Sequence, residues 1–187
     1  MAAQFATIGH SDRDIDEFLC MLHAARIGMV IDVRRFPRSR SNPAYNADQL
    51  PDDLARVQIG YRHWPAFGGR RSRQRGVEEH TNALWRVKSF HNYADYAMSD
   101  NFAVALGELE SLGQSQRVAL MCAEAVWWRC HRRIIADYLL LHGHPVDHLM
   151  GPGRVVPAKP TPEALTTAQG QVIYPVRGQA DESPGKN

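Results

Sequence analysis

Short apolar runs alternate with longer amphipathic segments along the first 150 residues. The runs lie at 4–8, 29–31, 59–64, 118–121 and 146–149. Between them, apolar residues recur at helical spacing, as Ile15, Phe18 and Leu22 do. Runs without polar alternation are typical of parallel strands that are buried on both faces. The pattern therefore predicts an α/β fold, a single three-layer sandwich with a mainly parallel sheet of about five strands and helices on both faces.

The composition changes after residue 150. Six of the 11 prolines lie between positions 152 and 184. Segments rich in proline and glycine are extended or disordered more often than they are packed. We therefore predict an α/β domain over residues 1–150 and a C-terminal extension over 151–187 that is partly disordered. The run at 172–176 is a candidate edge strand.

Composition indicates the cellular location of the protein more clearly than its function. The net charge of +2 does not by itself indicate a nucleic-acid partner. The three cysteines, an odd number, indicate reduced thiols and a cytoplasmic location. The N-terminus lacks the basic and apolar regions of a secretory signal, and no apolar run approaches the roughly 20 residues that a membrane span needs. We expect no membrane association, and the pattern does not indicate an oligomeric state.

Polar segments follow the predicted strands, at 9–11, 32–34, 65–71 and 122–129. In parallel sheets ligands bind beyond the carboxyl ends of the strands, so these segments should meet at one rim. The segment that begins at Cys122 carries the highest density of potentially reactive side chains. A strand ends at Cys122, Glu124 and two tryptophans follow, and Arg129, Cys130 and His131 begin a helix predicted over 129–142.

Either cysteine is a candidate nucleophile. Cys122 is a small core residue or a thiolate, which Arg129 and the helix start would stabilise. Cys130, in the first helical turn, is an equally good candidate for the nucleophile. Its place on the apolar row of the predicted helix, however, indicates that its side chain points into the core. Protons would be moved by Glu124, Asp32, His10 or His131. Glu124 has a simpler interpretation as a surface carboxylate that pairs with Arg129.

Other rim residues are candidates for binding an anion. They are Arg34, Arg129, His10, Ser11, Arg40, Gly68, Gly69 and Trp128. One of the two adjacent tryptophans is expected to anchor the loop, and the other to stack on a base or another planar ligand. Arg70, Arg71, Arg73 and Arg75 form either a solvated loop or an anion contact.

A metal site is a weaker interpretation of the same stretch. Cys122, Glu124, Cys130 and His131 are ligand types that zinc accepts. Adjacent residues on a helix point about 100° apart, however, and the stretch from Cys122 to His131 has no CxxC or HxxxH motif. We therefore predict no metal and no cofactor.

Two resemblances follow from these segments. The order strand, Cys122, loop, Arg129 and helix is similar to rhodaneses and cysteine phosphatases, although the Cys-x6-Arg spacing is one longer than the phosphatase loop. Over about residues 5–150 the chain resembles the domain-of-unknown-function family numbered 488. The matching segments are 7–11 (TIGHS), 32–34 (DVR), 67–69 (FGG), 93–96 (YADY), 122–124 (CAE) and 129–132 (RCHR), with Pro37, Ser39, Arg40, Asn42, Pro43, Asn46 and Phe90. The resemblance implies a compact bacterial or archaeal α/β domain without a settled activity.

Three functional hypotheses remain. The first is an enzyme, a hydrolase or transferase, that acts at the rim on an anionic substrate such as a phosphorylated small molecule, a nucleotide or a nucleic acid. The second is a nucleic-acid-acting enzyme that uses Glu124 or Asp32 for acid–base chemistry and tryptophan for stacking. The third is a ligand-binding or interaction module without catalytic activity.

Overall fold

The computed structural model describes residues 4–176, which form five helices and eight strands. In chain order they are β1 (Phe5–Gly9), α1 (Ile15–Ala24), β2 (Met29–Asp32), α2 (Leu50–Arg56), β3 (Gly60–His63), α3 (Lys88–Ala97), α4 (Asp100–Ser115), β4 (Val118–Cys122), α5 (Arg132–Leu141), β5 (Val146–Gly151), β6 (Arg154–Pro157), β7 (Leu165–Thr166) and β8 (Val172–Ile173). Within this described part, none of the helices combines the length and the apolar character needed to cross a membrane.

The main sheet has six strands in the order β3-β2-β4-β1-β5-β6. The first five strands in that order are parallel to one another, and β6 runs antiparallel to β5. The predicted α/β sandwich with a mainly parallel sheet is therefore confirmed. The sixth strand comes from the C-terminal extension, which turns back at Gly153, where a positive φ of 66° suits glycine.

Helices cover both faces of the sheet. Val118, Leu120 and Cys122 of β4 face α3, α4 and α5, whereas Ala119 and Met121 face α1 and α2. Because successive side chains of a strand alternate between faces, β4 must be apolar throughout when both faces are covered. Cys122 is the last inward residue on the α5 side, and this places its sulfur at the carboxyl rim.

The described part of the C-terminal extension packs against the domain. Val172 and Tyr174 are buried in the core beside α5. Tyr174 and Thr161 each donate a hydrogen bond to the buried Asp137 carboxylate, at 2.9 and 2.8 Å. The predicted edge strand is β8, which pairs with β7 in a separate two-stranded sheet. The disorder that we predicted for the end of the extension lies outside the described residues.

The helix predicted over 129–142 begins later than its sequence pattern indicated. Residues Trp127–Arg129 form a 3₁₀ turn, and α5 starts at Arg132. The backbone N–H of Cys130 bonds the Trp127 carbonyl oxygen at 3.1 Å. Cys130 and His131 therefore lie in the connection between the turn and the helix, where the chain bends towards the carboxyl ends of β2 and β4.

Candidate active site

The carboxyl ends of β1, β2 and β4 border a cavity of about 570 Å³. Its floor and its mouth differ in exposure. Buried residues form the floor, and they are His10, Arg34, Gly69, Tyr93, Cys122 and Cys130. Exposed residues surround the mouth, among them Arg35, Phe36, Arg38, Arg70, Glu124 and Arg129. The predicted meeting of the post-strand segments at one rim is therefore what the fold produces.

Cys130 and His131 form a thiol–imidazole pair at the floor. The Cys130 Sγ atom lies 3.6 Å from His131 Nδ1. The other ring nitrogen, Nε2, lies 3.0 Å from the Val33 carbonyl oxygen. Since a carbonyl oxygen only accepts, Nε2 carries the hydrogen and Nδ1 is left free to take a proton from the thiol. A nucleophile whose base is oriented by a third group is the usual arrangement in covalent catalysis.

Arg132 lies behind this pair and is almost completely buried, with 1% of its surface exposed. Its Nε and its backbone N–H both point at Cys130 Sγ, at 3.3 and 3.5 Å. Its Nη2 donates to the Glu124 carbonyl oxygen at 2.5 Å. Across residues 4–176, no carboxylate lies within 4.0 Å of this guanidinium. A buried cation needs a counter-charge, and the contacting group that can carry one is the Cys130 sulfur in its deprotonated form.

The two buried thiols have pKa values displaced in opposite directions. Burial raises the pKa of the Cys130 thiol, but the interaction with Cys122 and the nearby His131 and Arg132 outweigh burial and hold the pKa well below its usual value. The pKa of the Cys122 thiol is raised well above its usual value by its interaction with Cys130 and by burial. The contacts of His131 and Arg132 with Cys130 Sγ agree in direction with these shifts, which makes Cys130 the candidate thiolate and Cys122 its neutral neighbour.

Asp32 holds Arg34 in place at the end of β2. The carboxylate is fully buried and accepts hydrogen bonds from Arg34 Nε and Nη2 at 2.9 and 2.6 Å, and from Tyr61 Oη at 2.7 Å. Asp32 does not line the cavity. Its lone pairs are already engaged, so the structure favours a positioning role over the proton-transfer role predicted for it.

His10 is a neutral side chain at the floor. Burial, with a contribution from the nearby Arg34, lowers its pKa to about 4, although the hydrogen bond with the Ser11 carbonyl oxygen opposes this shift. Its Nδ1 donates to that oxygen at 2.9 Å, so Nε2 accepts from Arg34 Nη1 at 3.2 Å. His10 thus extends the Arg34 network into the cavity.

Four other predicted site residues do not line the cavity. They are Ser11, Arg40, Gly68 and Trp128. Ser11 joins β1 to the loop after β4 through its backbone N–H and the Ala123 carbonyl oxygen, at 2.9 Å. Trp128 is 46% exposed and packs edge-on against Trp127, which stacks on His148 at 4.4 Å. Trp127 is therefore the anchoring tryptophan.

Gly69 is needed for the position of His131. A Cβ atom at residue 69 would lie 2.9 Å from His131 Nδ1, closer than such atoms approach in folded proteins. Glycine lets the loop pass directly over the imidazole ring. Tyr93 contacts the same ring, with 4.8 Å between ring centroids.

The sequence hypothesis omitted Arg132, Tyr93 and Phe36 as site residues. Two signals could have identified Arg132: it is adjacent to Cys130 and His131, and it belongs to the matching segment 129–132, which does not include Arg133. Tyr93 was part of the matching segment 93–96, but its helical setting did not indicate that it reaches the site. Phe36 is a single aromatic residue in a polar loop, which no periodicity marks.

A set of metal-ligand types is present at the floor. The ligand atoms of Cys122, Cys130 and His131 all lie within 4.8 Å of one another. Three protein ligands with an open fourth position are typical of catalytic zinc, and the bond from His131 Nε2 to Val33 is the kind that orients a histidine ligand. Glu124, the fourth member of the predicted set, is not part of this cluster. The expectation of no metal stays a prediction.

Comparison with protein families gives one match. A family model described as "Domain of unknown function DUF488" matches residues 14–139. That range includes the Asp32–Arg34 network and the segment from Cys122 to Arg132. No curated protein and no solved structure matches the chain. The similarity to rhodaneses and cysteine phosphatases stays a prediction.

Proposed function

This chain belongs to the DUF488 family, and we propose that it is an enzyme whose Cys130 thiolate attacks a phosphate-bearing substrate in the rim cavity. The family resemblance seen in the motifs is confirmed, but the family description assigns no activity. The observation that carries the proposal is the placing of Cys130 Sγ against His131 Nδ1 on one side and the buried Arg132 on the other. A thiolate stabilised in this way is a nucleophile at neutral pH.

The proposed reaction has two steps. In the first, Cys130 Sγ forms a bond to phosphorus and the bond from phosphorus to the leaving oxygen breaks. The proton that the thiol gave up passes through His131 Nδ1 to the leaving oxygen. In the second, water or an alcohol attacks the phosphorus, the sulfur–phosphorus bond breaks, and the proton that the attacking oxygen loses passes to His131 Nδ1 and restores the thiol–imidazole pair. With water the enzyme is a hydrolase, and with an alcohol it is a transferase.

The cavity walls supply the remaining functions of this proposal. The exposed Arg70 and Arg129 are free to bind the oxygens of the phosphate, where charge develops. Cys122 donates to the thiolate, and Glu124 at the mouth is a second group able to exchange protons with the substrate. We place the enzyme in the cytoplasm, because a reducing compartment keeps both thiols free.

One observation favours a second candidate function. The cluster of Cys122, Cys130 and His131 suits a zinc-dependent hydrolase, in which the same three residues would hold the ion. The nucleic-acid enzyme retains Glu124 as a candidate acid or base, because this residue lines the cavity, but its other two predicted residues, Asp32 and Trp128, do not. A binding module would use the same cavity without turnover.

The proposal is tested by protecting the thiol. We expect iodoacetamide at about pH 6 to modify Cys130, and inorganic phosphate or orthovanadate to slow that modification. Cys20, which is exposed on α1, is the internal control and should be modified at the same rate with or without the anion. Mass spectrometry of the digested protein measures each cysteine separately.

A turnover assay completes the test. Phosphate esters, from nitrophenyl phosphate to sugar phosphates and nucleotides, are offered to the wild-type protein and to the Cys130→Ser and Cys20→Ser variants. Turnover should disappear only in Cys130→Ser. Turnover that survives this substitution would exclude the thiol mechanism, and protection without any turnover would indicate a binding module. One equivalent of bound zinc, with Cys130 unreactive until a chelator removes it, would establish the zinc candidate instead.

A further inference from the structure

Cations dominate the mouth of the cavity. Arg35, Arg38, Arg70 and Arg129 are exposed there, and Glu124 is the acidic residue among them. Among the residues that the structure describes, no carboxylate lies within 4.0 Å of the side chain of Arg35, Arg70 or Arg129. Arg38 approaches Asp48 only to 3.9 Å, and both side chains are exposed. Positive groups that are not neutralised within the protein attract a ligand that carries negative charge.

Arg70 adopts a backbone conformation that non-glycine residues rarely take. Its φ of 54° lies in the left-handed region. It directly follows Gly69, which passes over the His131 ring. Strained conformations of this kind persist where the surrounding structure enforces them, and they concentrate at functional sites. The strain therefore supports a ligand-binding role for this side of the mouth.

Phe36 is the aromatic residue of the mouth, and it is 65% exposed. No other large apolar side chain of the described residues exceeds that exposure. A single exposed apolar residue needs no explanation on an ordinary surface. Phe36, however, lies on the wall of a cavity, next in sequence to Arg35 and two residues before Arg38. Aromatic rings beside cationic side chains are the combination that binds nucleobases through stacking and their phosphates through charge.

From this placement we infer that the substrate is a nucleotide unit, whose base stacks on Phe36 while its phosphate enters the arginine-lined cavity. The inference rests on the proposed function for the phosphate end and adds the chemical class of the rest of the substrate. The cavity of about 570 Å³ falls within the range of sites that enclose small ligands. The stacking residue is thus Phe36, whereas the sequence had indicated Trp128.

The inference is tested by comparing ligands that differ in the base alone. Adenosine monophosphate and ribose 5-phosphate carry the same phosphate and sugar, and each is titrated as a protector of Cys130 against iodoacetamide. We expect the nucleotide to bind roughly tenfold to a hundredfold more tightly, which is the usual effect of one stacked base. The variant Phe36→Ala should lose that advantage without changing protection by ribose 5-phosphate, and Phe36→Trp should keep it.

Val104 provides a matched control. It is 64% exposed on α4 and does not line the cavity, so Val104→Ala removes exposed apolar surface elsewhere. In this variant, the nucleotide and ribose 5-phosphate should each protect Cys130 as they do in the wild type. Equal affinities for the nucleotide and ribose 5-phosphate in the wild type would overturn the inference, and so would a Phe36→Ala variant that weakens both ligands equally.

The two proposals fail in different ways. If neither phosphate nor vanadate protects Cys130, the proposed function is wrong. If phosphate protects but the base adds nothing, only the stacking of a nucleotide on Phe36 is wrong.

A further comparison distinguishes a free nucleotide from a nucleotide within a nucleic-acid strand as the ligand. A short single-stranded oligonucleotide that protects better than the mononucleotide, with a strong dependence on salt, identifies a nucleic-acid strand as the source. Equal protection by both identifies a free nucleotide. Either result retains the stacking on Phe36, provided that Phe36→Ala weakens the binding of both the oligonucleotide and the mononucleotide.

Discussion

Two buried arginines at the carboxyl rim have different hydrogen-bond partners. Arg34 is 5% exposed, and its guanidinium makes two charge-assisted bonds to the Asp32 carboxylate. Arg132 is 1% exposed and bonds the Cys130 sulfur and the Glu124 carbonyl oxygen. The first cation therefore has a permanent counter-charge. The second gains a counter-charge only when Cys130 gives up its proton, and under the proposed function this arginine would activate the thiol, whereas Arg34 has a structural role.

The local chain geometry explains this difference. Asp32 and Arg34 are two residues apart in extended chain, where side chains at this spacing point the same way. Their groups therefore meet directly, and Tyr61 completes the pair. Cys130 and Arg132 are also two residues apart, but they lie where the 3₁₀ turn passes into α5. The bend there folds the guanidinium back against the sulfur.

The largest effect is expected from removing the carboxylate of the first pair. Asp32→Asn leaves the buried Arg34 cation without its counter-charge and should lower the free energy of unfolding by about 3–5 kcal/mol. Urea denaturation measures this value. The control is Asp147→Asn at the partly exposed Arg117–Asp147 pair, which should cost clearly less because solvent screens it. A loss at Asp32 no greater than that at Asp147 would contradict a structural role for the pair.

The next effect concerns the neutral histidine beside each cation. Burial lowers the pKa of both His10 and His148 to about 4, from the usual 6.5, with Arg34 contributing at His10 and Arg132 at His148. Between pH 6.5 and 4 these two histidines bind protons in the unfolded chain but not in the folded chain. Stability should therefore fall as pH decreases through this window, by up to about 3 kcal/mol for each histidine, and level off below it.

Denaturation at several pH values measures this slope. His148→Asn should reduce the slope of stability against pH by the contribution of one histidine. His80→Asn, at an exposed position, should leave the slope unchanged. An unaltered slope in the His148 variant would show that its imidazole does not carry the effect.

A smaller effect is expected at the second arginine. Arg132→Gln removes the cation next to Cys130, so the pKa of the thiol should rise and its alkylation at about pH 6 should slow by roughly tenfold or more. Arg132→Lys keeps a positive charge and should retain part of the rate. The neighbouring Arg133→Gln is the matched control, because Arg133 bonds Thr161 and not Cys130. Equal rates in the Gln variants at positions 132 and 133 would show that Arg132 does not activate the thiol.

The sequence predicted the fold well because its strands are buried on both faces. An uninterrupted apolar run such as β4 has few alternatives, and the alternation with helices then places the strand ends at one rim. The meeting of Cys122, Glu124, Arg129 and His10 around one cavity follows from that topology. The start of α5 was misplaced because the 3₁₀ turn carries side chains that also suit a helix.

The choice between the thiols was beyond the sequence, for a physical reason. The charge state of Cys130 depends on the distances of two neighbouring groups and on the tautomer of His131, which in turn depends on the Val33 carbonyl oxygen 98 positions away in the chain. Spacing does not encode such a contact. The same holds for Asp32, whose strand-end position fits a catalytic acid equally well until its bonds to Arg34 and Tyr61 are seen.

The pH profile of thiol alkylation tests the central claim most directly. The rates at Cys130, Cys122 and Cys20 are measured by mass spectrometry between about pH 5 and 9, and Cys20, exposed on α1, is the reference. Burial slows the absolute rate at Cys130, so the shape of the profile decides. We predict that the ratio of the Cys130 rate to the Cys20 rate rises steadily as pH is lowered, while Cys122 stays unreactive. A ratio that remains constant or falls would show that Cys130 is an ordinary buried thiol and would contradict the account.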